Sequence, residues 1–410
     1  MSLRKLMAIA GVVSAMTISV GVATAQDITF YNDKNGWQDG FTALTKGASE
    51  ASGLNVKAEL LTPTDKYQAF IQSSVAGGNA PPIFTWWNGK QLEALAETGA
   101  IAPLTEAWDK AIADGNFSQA ERELVTVDGK PYAALLNVAR WPVLYNKHAF
   151  EKAGIAAPPK TWEELLDACE KLKAAGYVPF NAPNVGGWMG LIWFSEFMIR
   201  TNPDAFVGLT DGTVPYNGPE VQKAFQLWTD FYAKGYYTDP REQDDTKFFV
   251  NQQAAMFLIG EWMAGSIADK GLKPGEDFGA FIMPTVTPDV PNSIIVEAAP
   301  IVVSQKALAD NPNMAKVVDY LMTPEATDAV QIFNGNLKAK PTNAIIEEVN
   351  NLVAEAKPRS IVRWWEAVPA DLQGDLVAQM GAFMLNPTAD NATKVMNDME
   401  SLNADYWASR

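Results

Sequence analysis

Thirteen tryptophans are the residues of this 410-residue chain with the clearest chemical potential, and several sit in loop-like settings beside polar neighbours. Trp37 follows Asn35-Gly36, Trp86-Trp87 precede Asn88-Gly89, and Trp141 follows Arg140. Trp188 follows Gly186-Gly187, Trp262 follows Gly260-Glu261, and Trp364-Trp365 follow Arg363. A flat indole next to an amide, acid or guanidinium suits a polyhydroxylated ligand. Its C–H faces stack on the ring, and its hydroxyl rim hydrogen-bonds to the polar neighbour. Trp108, Trp162, Trp193 and Trp228 lie instead in helix-like apolar patterns and are expected to anchor a core. At the six loop-like places composition leaves both readings open, platform or core anchor.

Catalytic signatures are sparse. His148 is the only histidine and Cys169 the only cysteine, so a histidine-based zinc site, a CxxC pair and an intramolecular disulfide are all excluded. There is no phosphate-cradling GxxxxGK[ST] loop, no dinucleotide glycine turn and no GxSxG elbow to accompany His148. Paired carboxylates are not excluded in this way, because an acidic chain holds many. Glycoside hydrolysis requires two, about 5 Å or roughly 6.5–9.5 Å apart, a separation that spacing in sequence does not give. Glu261, Glu297 and Asp244-Asp245 are the acids to watch, and ligand-orienting or surface roles are expected for them. A secreted carbohydrate-active hydrolase is the alternative reading.

The elements that must position these residues belong to an exported α/β protein. Arg4 and Lys5 precede an apolar stretch from Leu6 to Val22, and Ala23-Thr24-Ala25 has the small-x-small pattern of signal-peptide cleavage. Residues 1–25 are therefore expected to be removed, leaving Gln26–Arg410, with no cysteine at the cut to carry a lipid. No later stretch reaches the roughly 18 apolar residues needed to span a bilayer, so no membrane insertion is expected. The length calls for two domains. Net charge is −16, or −18 once Arg4 and Lys5 are lost, which argues against nucleic acid or anionic lipid as partners.

Strand and helix signals alternate. Strands are expected at Asp27–Tyr31, Asn55–Leu60 and Pro82–Trp87, and helices from near Trp37 and over Tyr67–Ala76. The clearest helix is Trp162–Ala175, with Thr161 and Glu164 as a capping box and Trp162, Leu165, Leu166, Cys169 and Leu172 on one apolar face. Thr323-Pro324-Glu325 starts another. Turn- or hinge-like breaks are expected at Leu136–Val138, Pro284–Pro291 and Asn336–Pro341.

Several of these segments together resemble the family 1 extracellular solute-binding proteins of bacterial ABC sugar importers, the family of the maltodextrin-binding protein. The resemblance runs through Gly77–Phe84, Asp128–Tyr132, Tyr145–Lys147, Ala153-Gly154, Pro158–Leu165 and Phe248–Met256 with Gly260-Glu261-Trp262. It implies a two-lobed periplasmic-binding-protein fold, type II-like, with the ligand cleft between the lobes. The lobes would comprise residues 26–136 with 284–336, and 137–283 with 341–410. Asp33-Lys34 match the family's first cleft loop, Trp262 its stacking tryptophan, and Trp364 or Trp365 a late aromatic. Pro82 stands where the family usually has Asp, and Ala139 where the maltodextrin-binding protein has a cleft acid, which argues against maltodextrin itself. Arg140 and Arg363 would then meet a glycoside carrying a polar or anionic group. The expected ligand-binding set is Asp33, Lys34, Asn35, Trp37, Trp86, Trp87, Asn88, Arg140, Trp141, Gly187, Trp188, Glu261, Trp262, Glu297, Arg363 and Trp364. The resemblance further implies a periplasmic monomer without catalytic residues, metal or cofactor, whose partners are a carbohydrate and the permease subunits of an ABC importer.

Overall fold

The strand Asp27–Asn32 alternates exposed and buried positions, with Ile28, Phe30 and Asn32 turned inward. In the computed structural model, which describes residues 27–330 and 336–409, it lies between two parallel neighbours. Phe30 pairs with Ala58 of the strand Asn55–Leu60 on one side and with Ile83 of the strand Ile83–Thr85 on the other. The link to Asn55–Leu60 is one 3-10 turn, Asn35–Trp37, and then the helix Gln38–Ser52. Phe41, Leu44, Thr45, Ala48 and Ser52 recur at helical spacing and face the sheet, which is why this stretch folds as a crossover helix. Gly53 ends it in the left-handed region, at φ 76°, where a side chain would be strained. The expected export segment and residues 331–335 of the expected first lobe lie outside the described residues.

A second sheet holds four strands in the order Phe278–Phe281, Val143–Asn146, Ala254–Leu258 and Val178–Asn181. The helix Trp162–Ala174 covers it. Thr161 Oγ1 accepts from the Glu164 N–H at 3.2 Å and the Glu164 carboxylate accepts from the Thr161 N–H at 3.2 Å, closing the capping box. Trp162, Leu165, Ala168, Cys169 and Leu172 are buried, while Leu166 is half-buried at the edge. Burial pushes the Cys169 thiol well above its ordinary range, so it stays a neutral core group.

Two hydrophobic cores result. One gathers residues between Ile28 and Val138 with others between Ile294 and Val330. The other gathers Trp141–Met283 with residues between Ile345 and Met399. Between them run two long antiparallel strands, Ala134–Arg140 and Ser293–Val303, with Arg140 opposite Val296 and Val138 opposite Ala298. Arg359–Val362 pairs in parallel with the start of the second, Ile295 opposite Ile361. Along that strand Ile294 and Val296 face the first core and Ile295 the second, the alternation a pleated strand imposes.

This differs from the sequence expectation. Leu136–Val138 is continuous strand and not a break, because a chain passing through dry space must pair its backbone groups. Val286, within the expected hinge Pro284–Pro291, packs on the second core, as Met283 does, while Ile282 just before them touches the first core and Ile294 is the next residue buried in it. The buried pair Glu196–Arg200 explains the anchoring there. Arg200 Nη2 donates to Ser293 O at 2.6 Å and the Val286 N–H donates to Arg200 O at 3.0 Å. Asn336–Pro341 is the turn expected, with Asn336 Oδ1 accepting from the Lys338 N–H.

Candidate functional site

Where the two cores face each other, a cavity of about 710 Å³ opens. The first core contributes Lys34 and Trp37 from the turn after the first strand, and the edges of Trp86 and Trp87 from the loop after Ile83–Thr85. Trp86 and Trp87 meet edge to face at 5.0 Å, and Trp86 Nε1 donates to Gln91 O at 3.1 Å, so this aromatic corner is held from behind. Lys34 Nζ lies 5.3 Å from the Trp87 ring centre and 2.9 Å from the buried Asp33 carboxylate. Thr64 Oγ1 donates to the other Asp33 oxygen at 2.9 Å.

Trp262 enters from the opposite side, half-buried, at the start of the helix Met263–Asp269. Gly260 is what lets the indole lie there: a Cβ at that position would fall 2.0 Å from Trp262 Nε1. Between Gly260 and Trp262 the chain turns Glu261 inward, fully buried. Its N–H donates to Arg140 O at 2.9 Å, and its carboxylate lies 3.5 Å from Arg140 Nη1, which donates to Asn350 Oδ1 at 3.0 Å. Burial lifts the Glu261 carboxyl to about 7, against the pull of Arg140.

The crossing segments form the floor. Glu297 and Ala298 come from Ser293–Val303, Asn137 from Ala134–Arg140, and Arg363 and Glu366 from the chain after Arg359–Val362. Arg363 binds both acids: Nε donates to Glu366 Oε2 at 2.8 Å, Nη2 to Glu366 Oε1, and Nη1 to Glu297. Burial works against the guanidinium charge, but Glu366 and Glu297 outweigh it and hold Arg363 protonated. Burial raises the Glu297 carboxyl, while Arg363 and the indole N–H groups of Trp262 and Trp141 pull it down. Neither indole reaches full hydrogen-bond geometry, and both N–H groups are buried without a partner.

Of the residues expected at a site, Lys34, Trp37, Trp86, Trp87, Trp262, Glu297 and Arg363 line the cavity, and Asp33, Arg140 and Glu261 stand directly behind it. Others do not reach it. Asn35 is exposed on the 3-10 turn, where its neighbour Gly36 takes the cavity wall. Asn88 is fully buried, with both amide atoms unpartnered, and is absent from the lining. Trp141 belongs to the second core and touches the site only through its N–H. Gly187 ends the 3-10 turn Val185–Gly187, its O packed against Gly381, and Trp188 follows it, half-buried against the second core. Trp364 is fully buried and donates from Nε1 to Tyr216 Oη at 2.9 Å, a core anchor. Trp365 packs half-buried against both cores.

Residues that sequence reasoning missed include Asn137, Ser266, Asp269, Thr342, Asn343 and Glu366. Asn137 carried a signal, a lone amide within the apolar run Ala133–Ala139. Asn343 caps the helix Ala344–Ala356, accepting from Ile345 N–H at 3.0 Å, an ordinary cap in sequence. His148 pairs with Asp277 at 3.0 Å on the surface, and Asp244 pairs with Lys270 at 2.7 Å away from the cavity lining. Among the described residues no group of three or more His, Cys, Asp and Glu could hold a metal ion, and no helix is long and apolar enough to cross a membrane.

The structure and sequence have known counterparts. A solute receptor, AcbH, described as having an exclusive preference for β-D-galactopyranose, superposes with a TM-score of 0.78 at 24% identity, covering 93% of this chain and 98% of its own. A chitin oligosaccharide binding protein gives 0.74 at 22% identity, over 93% and 99%. At these identities the match establishes the two-lobed fold. An uncharacterized ABC transporter extracellular-binding protein of Pyrococcus horikoshii is 24% identical over 347 residues, 80% of this chain and 76% of that one. The sn-glycerol-3-phosphate-binding periplasmic protein of Escherichia coli is 33% identical over 287 residues, 65% of this chain and 64% of its own. Residues 34–328 match the family model of the bacterial extracellular solute-binding proteins, and the chain belongs to that family.

Proposed function

We propose that this solute-binding protein captures a carbohydrate in the cleft between its lobes and delivers it to the permease subunits of an ABC importer. The observation that carries the reading is the meeting, in one cavity of about 710 Å³, of aromatic faces from both lobes with an acid–arginine floor. Trp262 offers a stacking platform opposite Trp37 and the Trp86–Trp87 corner, and Glu297, Glu366, Arg363 and Asn137 offer partners for hydroxyls. The lobes, in this reading, are residues 27–138 with 294–330, and 141–292 with 345–409. Two solved relatives in fold are named for a galactopyranose and a chitin oligosaccharide, which favours a sugar as the solute.

The same geometry favours binding without chemistry. Glu261 and Glu297, the acids a hydrolase would use, are each held by an arginine in a floor built from crossing strands. A thermal-shift screen of mono-, di- and oligosaccharides should find a ligand that raises the melting temperature and is recovered unaltered. Turnover of that ligand would decide for a hydrolase, and no stabilisation by any saccharide would sink the carbohydrate reading. The protein acts, in this proposal, as a periplasmic monomer with no nucleic-acid partner. Its mature form begins at Gln26 and carries no lipid. An intact mass of the native protein that retains residues 1–25, or an added acyl group, would contradict that processing.

A further inference from the structure

Among the described residues, every cation at the cleft is already held by a carboxylate. Lys34 is paired with Asp33, Arg140 with Glu261, and Arg363 with both Glu297 and Glu366, while Asp269 adds an exposed fifth acid on the rim. Among the described residues of the cleft, three cations thus face five carboxylates, and four even when Glu261 takes up a proton. Glu261 and Glu366 are fully buried and the Arg140 side chain is 12% exposed, so bulk water screens these charges weakly. An anionic group entering here would shed its hydration and meet no free cation in return.

A neutral hydroxyl meets the opposite situation. Asn137 lines the cavity at 2% exposure with both its amide oxygen and amide nitrogen unpartnered, one acceptor and two donors awaiting a ligand. The buried indole N–H groups of Trp262 and Trp141 are further donors beside the Glu297 carboxylate. Glu297, oriented by Arg363, is a strong acceptor for an O–H.

We propose that the cleft selects neutral polyhydroxylated solutes and rejects phosphorylated or acidic ones, with the Arg363–Glu297–Glu366 cluster excluding the anion and Asn137 reading a hydroxyl. This rests on the carbohydrate reading for the identity of the skeleton, but the charge rule is separable from it. It also separates this chain from its Escherichia coli relative, whose name carries a phosphate ester. Arg140 and Arg363, expected from sequence to meet a glycoside carrying a polar or anionic group, serve here to hold acids in place.

The test uses the full mature chain and matched pairs in titration calorimetry. The pairs are glucose with glucose 6-phosphate, galactose with galacturonate, N-acetylglucosamine with its 6-phosphate, and glycerol with sn-glycerol 3-phosphate, alongside inorganic phosphate alone. In any pair that binds, the neutral member should bind at least about tenfold more tightly. An anionic member that binds more tightly than its neutral partner overturns the charge rule. If glycerol is the tightest ligand, the carbohydrate reading fails and the charge rule stands. Glu297→Gln supplies the arm that needs no known ligand. It removes one carboxylate from Arg363 at nearly constant shape, so half-saturation by inorganic phosphate should fall by about tenfold or more relative to the wild type. Equal phosphate affinity in the two proteins would overturn the proposal. Asn137→Ala should weaken the best neutral ligand by about tenfold or more; an unchanged affinity removes Asn137 from it.

Discussion

Replacing Trp262 by alanine is expected to weaken binding of the transported sugar by about 1–3 kcal/mol, roughly five- to more than a hundredfold, while the protein still folds. The indole is half-buried, faces the cavity and makes no hydrogen bond that the helix Met263–Asp269 depends on. Alanine there loses the stacking surface and leaves the backbone as it was. Trp364 is the control. Fully buried and bonded to Tyr216, it should cost about 3–5 kcal/mol of folding stability as Trp364→Ala. Calorimetry and denaturant unfolding on both variants separate the two roles. Unchanged affinity in Trp262→Ala, or a loss of stability as large as that of Trp364→Ala, would remove Trp262 from the platform role.

Arg363→Ala should also destabilise the fold, on the order of 3 kcal/mol, because it leaves Glu297 and Glu366 facing each other without a counter-charge. The arginine side chain is 21% exposed, so water relieves part of that cost and the lower end of the range for buried pairs applies. The sign with pH follows. Burial already raises the Glu297 carboxyl, and losing Arg363 raises it further, so the folded variant holds protons that the unfolded chain releases. The loss should therefore shrink as pH falls towards the ordinary carboxylate range and be full at pH 8. Urea unfolding at pH 5 and pH 8 measures this. A loss that stays the same at both would mean the acids do not carry it.

Local signals were the legible ones. The capping box at Thr161 and Glu164 and the apolar spacing behind it depend on neighbours a few residues away, and the helix Trp162–Ala174 lies where they place it. The crossing strand Ser293–Val303 is different: its partners are Ala134–Arg140, Ile83–Thr85 and Arg359–Val362, and no short window contains that information. The tryptophans show the same limit at the site. Arg140-Trp141, Arg363-Trp364 and Glu261-Trp262 look alike in sequence, a charge followed by an indole. In the first two the indole turns into the core beside a charge at the cleft, whereas in the third the acid is buried and the indole faces the cavity. Consecutive side chains point in different directions, and which one meets the cleft is decided by the strand or turn that carries them. Asn137 was readable, since an amide alone in a buried apolar strand calls for a partner the fold does not supply.

Small-angle scattering of the mature protein with and without its best saccharide tests capture between the lobes most directly. Lys34, Trp37, Trp86 and Trp87 belong to one side of the cavity and Trp262 to the other. A sugar touching both sides stabilises the closed arrangement more than the open one, and only that difference moves the equilibrium. Saturating ligand should therefore reduce the radius of gyration, and Trp262→Ala should reduce both affinity and the fraction closed at a given concentration. A saccharide that binds tightly and leaves the scattering curve unchanged would contradict capture by closure.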